Sequence, residues 1–192
     1  MKVATFDHDR EIAQNTPENV MPNIVETAEL LSGAKFSEDG KYRYALWRFW
    51  NYPACRDGNA KAVMFIMANA STAGAFTDDP TVIRCAHYAQ RWGYDGIYIG
   101  NLCALIETHW TQTEELGDRV GEFCDHWLDI IRNSSALHIA AWGFMGKNYP
   151  ERAEQVRGMF PELHYLELSL KGIPKHPLYL KSELRPLLWE SK

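Results

Sequence analysis

The sequence lacks the features that mark several common protein classes. No apolar run approaches the length of about eighteen residues that a membrane-spanning helix needs. The first residues, MKVATFDHDREIAQ, contain no apolar stretch of the kind found in a signal peptide. Internal repeats and low-complexity tracts are also missing. These absences predict a cytoplasmic protein that has no membrane partner.

Paired cysteines and excess positive charge are missing as well. The cysteines are far apart and form no C-x-x-C pair, which argues against a zinc ribbon or an iron–sulfur cluster. We expect four free thiols, at Cys55, Cys85, Cys103 and Cys124. The net charge of −5 argues against a protein that coats nucleic acid by bulk attraction. A local basic patch does occur, at Lys171, Lys175, Lys181 and Arg185.

What is present is a series of apolar strands that alternate with helical patterns. The strands read AVMFIMA, GIYIGNLCAL and ALHIAAWG, and strands this apolar belong to a sheet that is covered on both faces. The sequence therefore predicts one α/β domain over residues 1–192, with three layers and a largely parallel central sheet. Residues 1–20 are polar and aperiodic and are expected to be irregular. Further strands are predicted at 42–51 and 163–169, and helices at 22–33, 80–92, 118–132 and 149–160.

Polar or small residues stand where the three apolar strands are expected to end. They are Asn69–Thr72, Asn101 and the pair Trp142 and Gly143. In a doubly wound sheet, ligands bind beyond the carboxyl ends of the strands. These positions are therefore the candidate site.

The stretch ANASTAGAFTDDPT has the composition of a ligand-binding loop. Small residues let a ligand approach the backbone closely, and the Asn69 amide could orient a water molecule. Asp78 and Asp79 could act as a base or as metal ligands. The alternatives are that Asp79 only caps the following helix and that Asn69 only forms a turn. The stretch matches neither a P-loop nor a dinucleotide-binding motif.

Three other positions complete the candidate site. The Asn101 amide could read the edge of a base, or it could bond to neighbouring backbone. Trp142 and Gly143 could form a hinge beside a ligand, or could simply pack. His176 lies between two prolines, so its fixed ring could donate to developing negative charge or could belong to a structural turn. Leu178 and Tyr179 follow it as candidates for a wedge or a stacking surface. The nearby lysines, Lys171, Lys175 and Lys181, are candidates for phosphate contacts.

In their order, these segments resemble an uncharacterised bacterial and phage domain family. The pattern of that family reads YRY, NPSTAD…DDPT, NL, AWG and PKHPLY. This chain has YRYAL, NASTAGAFTDDPT, NLCAL, AWG and PKHPLYL over about residues 42–181. The same order is similar to the uracil-DNA glycosylase superfamily, although more remotely. That resemblance implies a uracil-DNA-glycosylase-like fold and a monofunctional DNA glycosylase that flips its target base and needs no metal and no cofactor.

Carried over by residue, the resemblance implies a role for each motif. Asn69 positions the attacking water, Asn101 reads the base edge, and His176 stabilises charge on the departing base. Phe76 is the expected stacking ring, although another ring could take that place, and Leu178 fills the gap in the duplex. The remaining matches, Trp142 and Gly143, form a supporting turn.

The chain departs from the superfamily pattern within the expected pocket. Ala70 replaces the usual proline, and LCALIETHW lacks the expected aromatic residue and arginine. Loop residues Ala70, Ser71 and Thr72, with the small residues after them, indicate a pocket roomier than uracil needs. The expected substrate is therefore a modified pyrimidine in DNA, with glucosylated hydroxymethylcytosine of phage DNA as the leading candidate and anti-phage defence as the role. Two alternatives remain: an enzyme of free nucleotides and a non-catalytic module that binds a modified base.

Overall fold

The structure of the protein is a computed structural model that describes residues 30–71, 73–106, 119–144 and 148–190. Within these residues the chain forms one seven-stranded sheet and four α-helices. The strands are β1 Ser32–Phe36, β2 Arg43–Phe49, β3 Ala62–Ala70, β4 Gly96–Ile106, β5 Leu137–Ala140, β6 Leu163–Tyr165 and β7 Leu187–Leu188. The helices are α1 Tyr52–Arg56, α2 Pro80–Arg91, α3 Cys124–Asn133 and α4 Pro150–Gly158.

The sheet has the strand order β1-β2-β4-β3-β5-β6-β7. Its four central strands, β4, β3, β5 and β6, are parallel, whereas β1, β2 and β7 pair antiparallel at the two sides. The mixed α/β class is thus as predicted, but the sheet is parallel only in its centre. The antiparallel strand at 42–51 explains the difference, because an aromatic-rich alternating strand gives no sign of its direction.

Both faces of the central strands are buried, which is why these strands are apolar throughout. Val63, Phe65 and Met67 of β3 pack in one cluster with the buried side of α2. Met64 and Ile66 face the other way and pack with residues of α3 and α4. Helices on both faces thus give the sheet the three layers that its apolar strands predicted.

A crevice is expected where the chain changes its direction of winding through the sheet. From β3 the chain passes through α2 to β4 on one side, and then through α3 to β5 on the other side of β3. The loops that leave β3 and β5 therefore diverge at the carboxyl ends of these strands. Such a switch point is where open α/β sheets bind their ligands.

Several predicted boundaries differ from the observed ones. Asn101 does not end its strand, because β4 continues to Ile106. The strand predicted at 163–169 is only three residues long, and a further strand that was not predicted, β7, pairs with it. Of the predicted helix 22–33, Leu30 and Leu31 are helical, Ser32 and Gly33 belong to β1, and the earlier residues lie outside the described ranges. The start of helix 118–132 and the expected irregular segment 1–20 also lie partly or wholly outside those ranges.

The other expectations about the chain concern its thiols and its hydrophobic segments. All four cysteines are free thiols, as expected. Burial raises the pKa of Cys103 to about 11 and that of Cys124 to about 12, so both thiols stay protonated at neutral pH. Of the helices in the described ranges, none is both long enough and apolar enough to cross a membrane.

Candidate functional site

Two buried arginines on β2 hold the loop that follows β3. We call residues 71–79 the β3 loop; Thr72, a predicted contact residue within it, lies outside the described residues. Arg43 Nη1 donates to the carbonyls of Ser71 at 3.2 Å and Ala73 at 2.6 Å. Arg48 Nη2 donates to the carbonyl of Gly74 at 2.8 Å. Because β4 lies between β2 and β3, the loop must cross over β4 to reach these arginines.

The two acids of the β3 loop both have structural partners. Asp78 Oδ1 accepts from Arg48 Nε at 2.7 Å, which makes a partly buried ion pair. Asp79 is the N-cap of α2, where its Oδ1 accepts from the Val82 amide at 2.8 Å. Its Oδ2 accepts from the Ser71 hydroxyl at 2.6 Å. Asp79 therefore caps the helix, and the same carboxylate fixes Ser71.

Asn101 lies on the sheet face that the β3 loop covers. It is paired with Met67 of β3 and alternates with Ile97 and Ile99, which pack in the α2 cluster together with Ala73 of the loop. Its side chain is buried, with only 1% of the residue exposed. Among the residues that the structure describes, neither amide atom has a hydrogen-bond partner.

An unpaired buried amide is unfavourable, because both of its polar atoms have lost water without gaining a partner. The cost is typically about 1–3 kcal/mol for each such group. No backbone group of the described residues bonds to the Asn101 side chain, so the alternative of a bond to neighbouring backbone is not seen there. A buried donor and acceptor at one end of the sheet can instead serve a ligand.

His176 meets the end of β5 and is oriented by its own backbone. Gly143 follows β5 with a φ of +64°, and a β-carbon at Gly143 would lie 2.8 Å from Cβ of His176. His176 Nδ1 accepts from the Leu178 amide at 3.3 Å, which leaves the ring proton on Nε2. Burial lowers the pKa of His176, and the nearby Asp79 carboxylate partly opposes that shift. The ring is therefore neutral at pH 7 and presents an Nε2–H donor.

One face of α2 anchors the segment that follows His176. Donors on Arg84, Tyr88 and Trp92, spaced four residues apart, bond to three backbone carbonyls of this segment. Arg84 Nη2 donates to Leu180, Tyr88 Oη donates to Lys181 at 2.6 Å, and Trp92 Nε1 donates to Leu184 at 3.1 Å. These bonds fix the His176 segment against the helix whose first turn is capped by Asp79. They explain how His176 and Asp79, far apart in sequence, come into electrostatic contact.

Exposed aromatic rings surround this end of the sheet. Phe144 and Tyr179 are 70% and 86% exposed, and both line the same cleft as His176, with a volume of about 380 Å³. Phe76, the ring predicted to stack on a base, is 67% exposed on the β3 loop but does not line that cleft. Leu178, the predicted wedge, is half-buried.

The remaining predicted residues are partly or wholly buried. Asn69 lies at the end of β3, half-buried, with its amide donating to the Ala70 carbonyl at 3.3 Å. Ala70 is fully buried. Trp142 is buried and packs with its ring 5.8 Å from that of Trp189.

The predicted phosphate contacts are not equally available. Lys171 and Lys181 are exposed, but Lys175 forms an ion pair with Glu167. Part of the positive charge beside His176 is therefore neutralised. In the described ranges, no three His, Cys, Asp or Glu side chains are grouped as a metal site, so Asp78 and Asp79 have no further acid or histidine with which to share an ion.

Sequence reasoning missed the residues that hold the site together. The segment YRYALWR was recognised as a strand, but its two arginines were not connected with the β3 loop. The spacing Arg84, Tyr88 and Trp92 was a visible signal, because donors at every fourth position share one face of a helix. Phe144 follows directly after the AWG motif and could have been added as an aromatic candidate.

Comparison with known proteins assigns a family to the chain. Residues 43–178, which are 136 of the 192 residues, match the family described as protein of unknown function DUF1643. The chain belongs to the DUF1643 family. The matched stretch of this DUF1643 protein includes Asn69, Asn101 and His176, and begins at Arg43. Neither the curated proteins nor the solved structures gave a significant match.

Proposed function

We propose that this DUF1643 protein is a DNA glycosylase that hydrolyses the N-glycosidic bond of a flipped-out pyrimidine. The observation that carries the proposal is the buried amide of Asn101, with both polar atoms unpaired in the described structure. A planar amide offers one donor and one acceptor, which matches the Watson–Crick edge of a base. A base must leave the duplex stack to reach such a position, as glycosylases require.

The neutral His176 supports the same chemistry. When the bond between C1′ of the sugar and N1 of the base breaks, its electron pair leaves on the base. The Nε2–H donor of His176 can stabilise that charge without a prior change of protonation. Asn69, half-buried at the end of β3, is the group proposed to orient the water whose oxygen bonds to C1′. That water loses one proton to solvent, and the base gains one.

The fold and the exposed rings are compatible with a base-flipping enzyme. The four central strands are parallel, and Asn69, Asn101 and Gly143 lie towards or beyond the carboxyl ends of three of them, which supports the proposal of one shared site. Phe144 and Tyr179 offer exposed rings beside His176, and exposed rings can stack on unpaired bases. We propose that the ring that stacks on the target base is that of Phe76 or that of Phe144.

The proposed substrate is a pyrimidine enlarged at C5, with glucosylated hydroxymethylcytosine as the leading candidate and anti-phage defence as the role. Small residues at Ala73 and Gly74 leave room beside the base. The hydroxyl of Ser71 already donates to Asp79, so contacts to a sugar substituent are better sought in the His176 cleft. A site that bonds such a substituent strongly disfavours bases that lack it.

The experiment compares phage DNA that carries glucosylated hydroxymethylcytosine with the unmodified DNA of the same phage. Each is incubated with purified protein, treated with alkali, and examined for strand breaks at abasic sites. We expect breaks in the modified DNA and few or none in DNA containing plain uracil. His176→Ala and Asn69→Ala should lose base release while staying folded, and His87→Ala, at an exposed position of α2, is the matched control.

Three results would count against parts of this proposal. Equal breakage of modified and unmodified DNA, or faster release of uracil, would remove the substrate assignment. Absence of abasic sites in every DNA, together with cleavage of free modified nucleotides, would favour the alternative of a nucleotide hydrolase. Binding of modified DNA without base release would favour a non-catalytic module.

A further inference from the structure

Arg43 and Arg48 are both buried on β2 and both hold the β3 loop, but they differ in whether their charge is paired. They are 2% and 8% exposed, and both donate to carbonyls of the loop. Arg48 also donates to Asp78, so its charge is neutralised. Among the described residues, the side-chain hydrogen bonds of Arg43 go to the neutral carbonyls of Ser71 and Ala73. Within the described ranges, no carboxylate forms an ion pair with Arg43.

A buried charge without a counter-charge is costly, so its presence needs an explanation. Burial lowers the pKa of Arg43 to about 10, Asp79 acts in the opposite direction at longer range, and Arg48 adds to the lowering. At neutral pH the guanidinium therefore stays positively charged. A neutral donor would be enough to bond to the loop carbonyls. The need to hold the loop therefore does not explain why a charged side chain is buried here.

Arg43 and Asn101 lie on neighbouring strands, β2 and β4, which pair with each other. Arg43 donates to Ser71 and Ala73 of the β3 loop, and Asn101 is paired with Met67 near the end of β3, so both lie close to the start of that loop. Both have buried polar atoms without a partner in the described structure: Nε of Arg43, and Nδ2 and Oδ1 of Asn101. Next to the β3 loop there are thus two donor atoms and one acceptor atom without a hydrogen-bond partner among the described residues, together with the positive charge of Arg43.

We infer that Arg43 and Asn101 form a binding site for an anionic pyrimidine ring, and that Arg43 stabilises the charge on the base as it departs. This inference rests on the proposed function for its place in the reaction, but the binding site itself can be tested alone. The deprotonated ring presents acceptor oxygens to the Arg43 and Asn101 donors, and any remaining N–H donates to the Asn101 oxygen. In the reaction, the electron pair of the broken glycosidic bond resides on that ring. Arg43 stabilises the anionic ring through its positive charge. It also holds the β3 loop in position through its bonds to the loop carbonyls.

The test uses two free pyrimidines at pH 7.5. 5-Nitrouracil is an anion under these conditions, whereas thymine, which also carries a substituent at C5, is neutral. Dissociation constants for both are measured by calorimetry on the full chain and on the variants Arg43→Gln, Arg43→Lys and Arg48→Gln. The quantity of interest is the ratio of the two constants, because a general loosening of the loop weakens both ligands together.

We expect the wild type to bind 5-nitrouracil at least about tenfold more tightly than thymine, a preference of the size that one nearby charge supplies. Arg43→Gln should abolish the preference, Arg43→Lys should retain most of it, and Arg48→Gln should weaken both ligands without changing their ratio. Equal binding of the two ligands by the wild type, or no binding of either, overturns the inference. An equal loss of preference in Arg43→Gln and Arg48→Gln also overturns it.

If Arg43→Gln does not fold, the comparison of the wild type with Arg48→Gln tests the inference. A tenfold preference of the wild type that Arg48→Gln keeps supports the inference, and a preference that Arg48→Gln loses contradicts it. The separate assay for abasic sites distinguishes a failure of the anion site from a failure of the glycosylase function. A protein that prefers the anion but releases no base from DNA retains the anion site and refutes the glycosylase function.

Discussion

Gly143 and His176 approach so closely that a β-carbon on the glycine would lie 2.8 Å from Cβ of the histidine. Gly143 also has a φ of +64°, which L-residues with side chains rarely adopt. The contact joins the end of β5 to the segment that carries His176. The position of the proposed base-facing donor therefore depends on a glycine that has no chemistry of its own.

Replacing Gly143 with alanine should displace His176 as well as strain the backbone. We expect the free energy of unfolding to fall by at least about 1–2 kcal/mol from the positive φ alone, and base release to fall more than tenfold. Gly172→Ala is a matched control, because Gly172 has a φ of +74° but no atom within 4 Å of its added β-carbon. Gly172→Ala should show a similar fall in the free energy of unfolding from the positive φ, but it should keep its base-release activity. Equal activity of the two variants would mean that the contact does not position His176.

Asn101→Leu tests whether the buried amide serves the fold or a ligand. Since neither amide atom has a partner in the described structure, an apolar side chain of similar size should leave stability unchanged or raise it by up to about 2 kcal/mol. Base release should be lost. Urea denaturation and the abasic-site assay measure the two effects on the same preparation.

Asn51→Leu is the control for this substitution. Asn51 donates to Asp95 at 2.7 Å and caps α1, so its replacement should lower the free energy of unfolding by about 1–3 kcal/mol. If Asn101→Leu is as destabilising as Asn51→Leu, the Asn101 amide has a structural role after all.

The sequence predicted the elements of the central fold better than the contacts of the site. The long apolar strands β3 and β4 and the capped helix α2 were predictable, because burial on both faces and an Asp-Pro pair leave clear local signals. Asn101 was recognised as a candidate, but it was placed at a strand end, because the polar residue interrupts the apolar run without ending the strand. The contacts of Arg43 with Ser71 and Ala73 join residues about thirty positions apart, and no local pattern predicts such a pairing.

The stability of the protein should fall between pH 7 and pH 5. Burial lowers the pKa of both His138 and His176, so each ring takes up a proton more readily in the unfolded chain. Their contribution is fully present above the unfolded pKa of about 6.5 and is lost as the pH falls toward the lower folded values. His176→Asn should reduce this loss, measured as the difference in unfolding free energy between pH 7 and pH 5. His87→Gln, at an exposed position, is the control, and an unchanged pH dependence in His176→Asn would contradict the assignment.

Lys171 and Lys181 should provide phosphate contacts, whereas Lys175 should contribute less because it is paired with Glu167. A lysine that neutralises one phosphate displaces about one counterion, so its removal lowers the slope of log affinity against log salt by about 1. Lys171→Ala and Lys181→Ala should each show this change in duplex binding measured from 50 to 200 mM salt, while the fold and the binding of free pyrimidines stay unchanged. Lys61→Ala is the matched control, because Lys61 is also exposed but directly precedes β3, at the opposite end of that strand from the β3 loop. The same slope in all three variants would place the DNA elsewhere on the protein, or would favour a free nucleotide as the substrate.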